Sequence, residues 1–345
     1  MDEELEVLFE SRRLMAIAVA VFPLSGYLQK TYFSIVDECD EEKIDIILKK
    51  GSKTLAPFVS PLVAGKVMTS GTRSMTTYAP AYIKQKYITK ATDILGKQNV
   101  PIYHDDESPI FRVAEKITEE LAGGNDAIER RVEWMAAQVL QTGLCPVKGD
   151  GIDEVIDCLF EDNQITVLSG TDKWTEEGSS PMKTFRTIRK RAIDAGGKAP
   201  DRITLGSNLY EVYLNHPETK EMFQENKIDR GNLKTEMIEE GVIRIGYIPE
   251  ILTTIEVYDE TFTNDDGDVE HYLNPNKFIY GSTKAEGRVV YGCIKDMTAL
   301  YATKVHVKSQ QLFDPSGYEV LQQSAPVVIP TYKDSYHCCQ PIAGA

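Results

Sequence analysis

The longest segment without helical periodicity runs over residues 56–90 and is rich in Val, Thr and Tyr. Such β-branched and aromatic residues are typical of strands. Turn residues cluster at 69–72, so the pattern predicts a long β-hairpin with about 15 residues in each arm, on the order of 50 Å at about 3.3 Å per residue. Because a bare two-stranded ribbon is marginal in water, we expect this hairpin to lie on a protein surface, either in its own domain or, more readily, on another subunit.

Two helices are predicted after the hairpin. Acidic residues followed by a proline at 105–109 indicate a helix start, and this helix is expected to end near Leu121, before the glycine pair at 123–124. Asn125 is then expected to cap a second helix that ends near Gln141. The second helix has apolar residues spaced for one buried face: Ile128, Val132, Met135 and Val139.

The remaining segments alternate short apolar strands with amphipathic helices, which predicts an α+β fold. Turns are expected at 147–152 and 161–165, between strands of the segment 144–168. Further elements are predicted in this order: a strand over 44–49, a helix over 181–195 that starts at Ser180-Pro181, a strand over 203–207, a helix over 209–214 that resumes after Pro217, strands over 242–249, 253–258 and 277–281, and strands over 304–307 and 319–330.

The first 43 residues are predicted to form an arm that contacts a partner. They begin with an acidic amphipathic helix, followed by an apolar run at 14–24 and an acidic run at 37–42 that we expect to be solvated. The apolar run resembles the core of a signal peptide, but the residues before it are acidic, whereas export requires a basic start. With about 11 residues the run is also too short to cross a bilayer. We therefore expect a cytoplasmic protein without a membrane segment.

Charge and composition narrow the class of protein. The chain has 345 residues, of which 42% are hydrophobic, and a formal net charge of −15. A chain of this length and apolar content can bury a large hydrophobic core. A surface that grips nucleic acid needs a basic stripe, so the acidic balance argues against one, yet it is compatible with a container whose wall encloses DNA. The six cysteines lack the spacing of a disulfide framework and are expected to be reduced.

The sequence contains no catalytic or metal-binding motif, and no cofactor or metal is expected. The segment 264–270 resembles a calcium loop, but its glycine comes too early for an EF-hand, so an Asp-Gly hairpin turn is predicted instead. The histidines are scattered, and neither a phosphate-binding loop nor a nucleophile elbow occurs. The basic residues of the helix at 181–195 are expected to face solvent, or else DNA or an acidic neighbour. A soluble metal-dependent hydrolase stays open as an alternative, because the abundant carboxylates could include a catalytic pair.

Four stretches carry a resemblance to a known family. They are PheValSerProLeuValAlaGlyLysVal at 58–67, TyrAlaProAlaTyrIleLysGlnLys at 78–86, ValTyrGlyCysIleLysAsp at 290–296 and GlnSerAlaProValValIlePro at 323–330. In this order they resemble the major capsid proteins of lambda-type tailed phages, the phage capsid protein E family. The resemblance extends from about residue 40 to the C-terminus and includes no catalytic signature.

The resemblance implies the α+β major capsid fold of tailed phages, the Johnson fold. It implies five segments: an N-terminal arm (1–43), an extended hairpin loop with its base strands (44–104), a peripheral domain with a spine helix (105–180), an axial domain (181–300) and C-terminal strands that return to the peripheral domain (301–345). In this family the hairpin reaches over a neighbouring subunit, which implies subunit contacts for ten residues: Pro61, Val63, Gly65, Lys66, Met68, Arg73, Tyr78, Pro80, Tyr82 and Lys84. Flexible joints are expected at four glycines: Gly26, Gly51, Gly123 and Gly124.

The function implied is structural. The chain would self-assemble as pentamers and hexamers into an icosahedral head around double-stranded DNA, in the virion, after assembly in the host cytoplasm. Scaffold, portal and decoration proteins are the implied partners. Some shells of related fold crosslink a hairpin lysine to an asparagine of another subunit, for which Lys66, Lys84 and Lys86 are candidates, although a decoration protein typically reinforces the family resembled here. A host-encoded protein compartment of the same fold is the alternative.

Overall fold

The computed structural model describes residues 14–16, 26–51, 55, 73–90, 109–149, 151–225, 228, 237–239, 241–297, 299–314 and 316–343. These residues form a mixed helix and sheet structure, as predicted. The helices are α1 (Tyr27–Tyr32), α2 (Pro109–Thr142), α3 (Pro181–Asp194), α4 (Ser207–Asn215) and α5 (Pro217–Gln224). The strands are β1 (Ile35–Cys39), β2 (Ile44–Lys49), β3 (Arg73–Tyr78), β4 (Ile83–Lys90), β5 (Leu144–Gly149), β6 (Ile152–Asp157), β7 (Ile165–Val167), β8 (Arg202–Leu205), β9 (Met237–Glu239), β10 (Val242–Ile248), β11 (Thr253–Tyr258), β12 (Thr261–Thr263), β13 (Val269–His271), β14 (Phe278–Gly281), β15 (Arg288–Gly292), β16 (His306–Leu312), β17 (Gly317–Ser324), β18 (Pro326–Ile329) and β19 (His337–Gln340).

The longest element is α2, which is continuous over 34 residues. The predicted break at 123–124 is therefore wrong, and Asn125 lies inside the helix instead of capping one. An isolated glycine costs a helix only about 1 kcal/mol, while Leu121 and Ile128 on either side of the pair are fully buried. Their packing outweighs the local tendency to stop. Neither α2 nor any other helix in the described part of the chain is long and apolar enough to cross a membrane.

Two three-stranded sheets share α2 as their common support. The sheet β16-β17-β4 packs on its N-terminal half, where Ile117 joins Val307 in a buried cluster. The sheet β1-β15-β18 belongs to a second cluster, which contains Val132 and Val289. The predicted strand 319–330 is in fact β17 and β18, because the chain passes from the first sheet to the second at Ala325.

The largest sheet of the described residues is a seven-stranded mixed sheet, in the order β7-β19-β14-β8-β11-β10-β9. It combines strands from three of the segments predicted above, since β7 precedes residue 181 and β19 follows residue 301. The helix α3 packs on this sheet through Phe185, whose ring centre lies 5.5 Å from those of both Trp174 and Phe278. These aromatic residues belong to a cluster separate from the two along α2.

Part of the predicted N-terminal arm belongs to the folded body of the chain. In α1 the side chain of Tyr32 is buried, and β1 pairs in parallel with β15. The acidic run begins inside β1, where Asp37 forms an ion pair with Arg288 at 2.5 Å. The solvated acidic face is thus confirmed for residues 40–42, which are exposed, but not for Asp37.

Residues 73–90 do not form the second arm of one hairpin, so that prediction is wrong. β3 pairs antiparallel with β2, with Lys49 opposite Arg73, whereas β4 pairs antiparallel with β17. Strand-forming side chains suit any pleated, half-buried surface, so composition alone does not identify the partner strand. The other predicted arm and the turn at 69–72 lie outside the described residues.

Most other predicted elements are confirmed with small shifts at their ends. Ser180 caps α3, because its hydroxyl accepts a hydrogen bond from the Lys183 N–H at 3.1 Å. α4 ends before Pro217, where α5 begins. Strands occupy the three segments predicted between residues 242 and 281, and β5 and β6 form a hairpin around the turn predicted at 147–152.

Candidate assembly surfaces

The two-stranded ribbon formed by β2 and β3, which we call the loop base, places Lys49 opposite Arg73 and so brings together the two ends of the segment 50–72. The inner side of β2 is buried through Ile44, Ile46 and Leu48. On the outer side the cross-strand partners Ile47 and Met75 are 39% and 65% exposed. The loop base is therefore anchored by one face, and its other face is exposed among the residues that the structure describes.

Three of the four stretches that carry the family resemblance meet beside the loop base. Pro80 packs against Gly292 so closely that a Cβ at position 292 would lie 2.5 Å from the proline Cγ. The Tyr82 hydroxyl donates to the Cys293 carbonyl at 2.8 Å. The Gly292 N–H donates to the Ala325 carbonyl at 2.9 Å. Segments far apart in sequence thus build one joint, through which the chain passes from β3 to β4.

The ten predicted contact residues divide into three groups. Pro61, Val63, Gly65, Lys66 and Met68 lie outside the described residues. Arg73 and Lys84 are exposed. Tyr78, Pro80 and Tyr82 are half-buried or buried in the chain's own body. Their contacts with a neighbouring subunit stay a prediction.

Burial affects the chemistry of the loop-base residues. It raises the pKa of Tyr78 to about 12, with a further contribution from the nearby Glu154 carboxylate.

Of the lysines considered for crosslinking, Lys84 lies over the Tyr82 ring at 5.4 Å, and Lys86 pairs with Glu319 at 2.8 Å. These two lysines therefore already make contacts within the chain.

An open, largely apolar groove of about 480 Å³ runs beside the loop base. Trp134 of α2, Ile156 of β6 and Pro326 of β18 are among the residues that line it. At one end Arg131 stacks over the Trp134 ring at 5.4 Å and pairs with Asp265 at 3.2 Å. The groove adds apolar surface next to the ribbon.

The start of α1 is clamped to α2 by a buried carboxylate. Glu133 accepts hydrogen bonds from the backbone N–H groups of Leu28 at 2.7 Å and Gln29 at 2.9 Å. It also accepts one from the Tyr258 hydroxyl at 2.9 Å. Because N–H groups at a helix start have no partner within the helix, Glu133 satisfies donors that would otherwise be buried alone.

A second buried carboxylate ties α1 to the seven-stranded sheet. Glu256 in β11 is fully buried. One of its oxygens accepts hydrogen bonds from Arg244 at 2.9 and 2.8 Å, and the other accepts from Arg202 at 2.9 Å and from the Tyr27 hydroxyl at 2.5 Å. Glu133 and Glu256 together fix α1 between the long helix and the sheet.

Sequence reasoning missed both carboxylates, although each leaves a signal. Glu256 is a single charge inside the apolar strand at 253–258, which is unusual unless the charge is paired. Glu133 follows Val132 directly, at the edge of the apolar stripe of α2. Helical spacing would therefore place Glu133 at the border of the core.

The four predicted joints have different surroundings. A Cβ at Gly26 would lie 2.4 Å from the Glu133 carboxyl carbon, and one at Gly51 would lie 2.2 Å from the Gly196 carbonyl oxygen. At Gly124 it would lie 1.7 Å from the Gln322 side-chain oxygen, whereas at Gly123 nothing lies within 4 Å. Close approach therefore requires glycine at three of these positions.

The glycine pair in α2 provides a matched test. Gly123→Ala should raise the free energy of unfolding by about 0.5–1 kcal/mol, because alanine favours the helix and fills open space. Gly124→Ala should lower it by about 1–3 kcal/mol through overpacking. The Gln322 side chain cannot move freely, since it is fully buried and its amide donates to the Leu121 carbonyl at 3.2 Å. Urea unfolding of both variants measures the difference, and shifts of the same sign would contradict it.

The segment that resembles a calcium loop forms a turn, and the cysteines are mostly buried. The Asn264 side chain accepts hydrogen bonds from the N–H groups of Asp266 at 3.0 Å and Asp268 at 2.8 Å, which closes the predicted Asp-Gly turn between β12 and β13. Among the described residues, no three His, Cys, Asp or Glu side chains are placed to hold a metal ion. All six cysteines are free thiols, as predicted, and burial raises the pKa of Cys338 to about 12 and that of Cys339 to about 11.

Comparison with solved structures defines the class of fold. The chain aligns over 96% of its length with 99% of a prophage protein of Escherichia coli CFT073 described as a capsid protein, at 20% identity and a TM-score of 0.75. A phage-related protein of Bordetella bronchiseptica aligns with 96% of the chain, over 98% of its own length, at 12% identity and a TM-score of 0.57. The fold is that of tailed-phage capsid proteins.

The sequence comparisons define the family. The model of the phage major capsid protein E family matches residues 10–335, so the chain belongs to that family. Among curated proteins, the major capsid protein of Escherichia phage lambda is 23% identical over 95% of this chain and 98% of its own length. The major capsid protein of Escherichia phage N15 is 22% identical over 95% and 97%.

Proposed function

We propose that this chain is the shell subunit of an icosahedral phage head, assembled from pentamers and hexamers around double-stranded DNA. The observation that carries the proposal is the attachment of residues 50–72. Their ends are cross-strand neighbours at Lys49 and Arg73, on a ribbon that is anchored to the body by one face only. A segment attached in this way can reach another subunit while its own body stays folded.

The physical principle of such a shell is the addition of many modest contacts. Each subunit would contribute the segment 50–72, other parts of its N-terminal arm and the groove beside the loop base. Contacts that are weak one by one become strong when a closed lattice makes them simultaneous. The net charge of −15 suits a wall that encloses DNA without sequence-specific contacts.

The structure supports an assignment of domains. α2 with its two three-stranded sheets would form the peripheral domain, with α2 as its spine helix, and the seven-stranded sheet with α3 would form the axial domain around the symmetry axes. The role is structural and involves no catalysis or cofactor. Scaffold, portal and decoration proteins are the proposed partners, assembly takes place in the host cytoplasm, and the subunit resides in the virion.

Expression of the full chain, alone and together with a candidate scaffold, tests the proposal. Light scattering and electron microscopy should show closed shells, or five- and six-membered rings. A stable monomer under every condition would contradict the proposal. Closed particles that contain protein cargo instead of nucleic acid would favour a host-encoded compartment of the same fold.

A further inference from the structure

Glu133 holds the first turn of α1 from outside that helix. Its side chain is only 2% exposed, and it binds the N–H groups of Leu28 and Gln29 described above. The residue at the N-cap of α1 is Gly26, which has no side chain to satisfy these donors. The start of α1 therefore depends on a carboxyl group supplied by α2.

Gly26 is the residue that lets this carboxyl approach. A Cβ there would lie 2.4 Å from both the Cδ and Oε2 atoms of Glu133. Since both atoms belong to the carboxyl that is hydrogen-bonded to the Leu28 and Gln29 amides, the carboxyl could not retreat and keep those bonds. The glycine at position 26 and the carboxyl at position 133 thus act together to hold the start of α1.

The groups that face Glu133 come from several elements. Tyr258 at the end of β11 is hydrogen-bonded to Glu133 at 2.9 Å and to Glu260 at 3.0 Å. Tyr272, which follows β13, interacts electrostatically with both of these carboxyl groups. It also interacts electrostatically with Arg130 and Arg131 of α2. Among the described residues, the hydrogen-bond donors to Glu133 are neutral: two backbone amides and one hydroxyl.

Tyr258 has one hydroxyl proton for two carboxyl groups. If Glu133 and Glu260 were both ionised, only one of them could accept the hydrogen bond from that hydroxyl. If Glu133 is protonated, its O–H can donate to the Tyr258 oxygen while Tyr258 donates to Glu260, so every group in the chain of hydrogen bonds has a partner. Burial raises the pKa of Glu133 to about 7, opposed by the hydrogen bonds from Leu28, Gln29 and Tyr258 and reinforced by Glu260.

We propose that Glu133 is a proton-controlled clamp, which holds residues 26–29 on α2 when protonated and releases them more readily when ionised. Release would free residues 26–29 from α2, while Leu14 keeps its separate place in the buried cluster that contains Ile117 and Val305. The clamp is a property of the single chain, so its failure would leave the proposed role in a shell untouched.

The direction of the pH effect follows from the two environments of the carboxyl. In the released form Glu133 would face water and regain its ordinary pKa of 4.5. The clamped form therefore holds the proton more tightly. As the pH rises from about 4.5 to about 7, release becomes easier by nearly tenfold per pH unit, and above about pH 7 it changes no further because both forms are ionised.

Hydrogen exchange at the Leu28 and Gln29 amides of the full-length chain tests the clamp. Protection factors, which correct for the intrinsic effect of pH on exchange, should be lower than those of amides in the interior strand β11, because release is local. They should fall by at least about tenfold between pH 5 and pH 7 and then level off. Equal protection at Leu28, Gln29 and β11 at every pH would show that the segment opens only by global unfolding and would overturn the proposal.

Two matched variants identify the responsible group. Glu133→Gln can still accept hydrogen bonds but cannot ionise, so protection at Leu28 and Gln29 should lose its pH dependence. Glu129→Gln changes a buried carboxyl one helical turn earlier, whose pKa burial also raises to about 7, but which interacts with Lys304 and Tyr291. It should keep the pH dependence of the unaltered chain. The opposite pattern, in which only Glu129→Gln removes it, would overturn the proposal.

A direct titration keeps the inference testable if Glu133→Gln does not fold. The carboxyl carbon of Glu133 can be followed by NMR in the unaltered chain as the pH changes. A titration near pH 7 that coincides with the loss of protection at Leu28 and Gln29 is expected. An ordinary titration near pH 4.5 together with protection that does not depend on pH would show that no proton-controlled clamp exists.

Discussion

Replacement of residues 52–70 by Asn-Gly should leave a folded subunit that no longer forms shells. Lys49 and Arg73 are cross-strand partners, so a short turn can close the loop base without moving β2 or β3. The joint of Pro80 on Gly292 also lies outside the deleted segment. The body should therefore keep its unfolding transition, while electron microscopy shows no closed particles.

A chain in which residues 52–70 are shuffled separates two explanations of such a loss. This control keeps the length and composition of the segment but removes any specific pattern of contacts. If it also fails to assemble, the side chains of the segment make specific contacts; if it assembles, the length of the segment is sufficient. Normal shells from the Asn-Gly chain itself would show that the segment is not needed.

Glu256→Gln should lower the free energy of unfolding by about 3–5 kcal/mol, the usual effect of breaking a buried ion pair by removing one partner. The carboxylate binds two arginines and one tyrosine, and an amide cannot accept all of these hydrogen bonds. Arg202 and Arg244 would be left without their buried counter-charge. Denaturant unfolding measures the loss, and the attachment of α1 to the sheet should weaken with it.

The exposed ion pair between Arg186 and Glu250 provides the control. These side chains are 55% and 51% exposed. Glu250→Gln should change the free energy of unfolding by no more than about 0.5–1 kcal/mol, because solvent already screens the pair. Added salt should abolish that small effect and leave the effect of Glu256→Gln nearly unchanged. Equal losses from the two substitutions would contradict the importance assigned to burial.

Local sequence signals predicted many of the elements. Ser180 and Pro181 mark the start of α3 because a hydroxyl and a proline both suit a helix N-terminus, and the Asp-Gly at 266–267 marks a turn because glycine adopts its positive φ freely. The family resemblance added what local signals could not supply, namely the capsid class of the fold and the expectation that the hairpin segment contacts a neighbouring subunit.

The strands around the loop base show where local signals fail. The composition of 73–90 predicted strands correctly, but β3 pairs with β2 and β4 pairs with β17. β3 is exposed along most of its length, whereas β4 is half-buried, and between them Pro80 packs against Gly292. β4 and β17 lie more than two hundred positions apart in sequence, so no window along the chain contains their pairing.

The sequence by itself determined the class of fold, the family, the free cysteines and the ends of helices that have clear caps. Only the tertiary structure decided that α2 continues through Gly124, where Gln322 takes the space of a missing side chain, and that Glu133 and Glu256 are buried. Caps and turns depend on neighbours along the chain. Helix continuity, strand pairing and carboxylate burial depend on contacts between distant segments, whose energies outweigh local preferences of about 1 kcal/mol per residue.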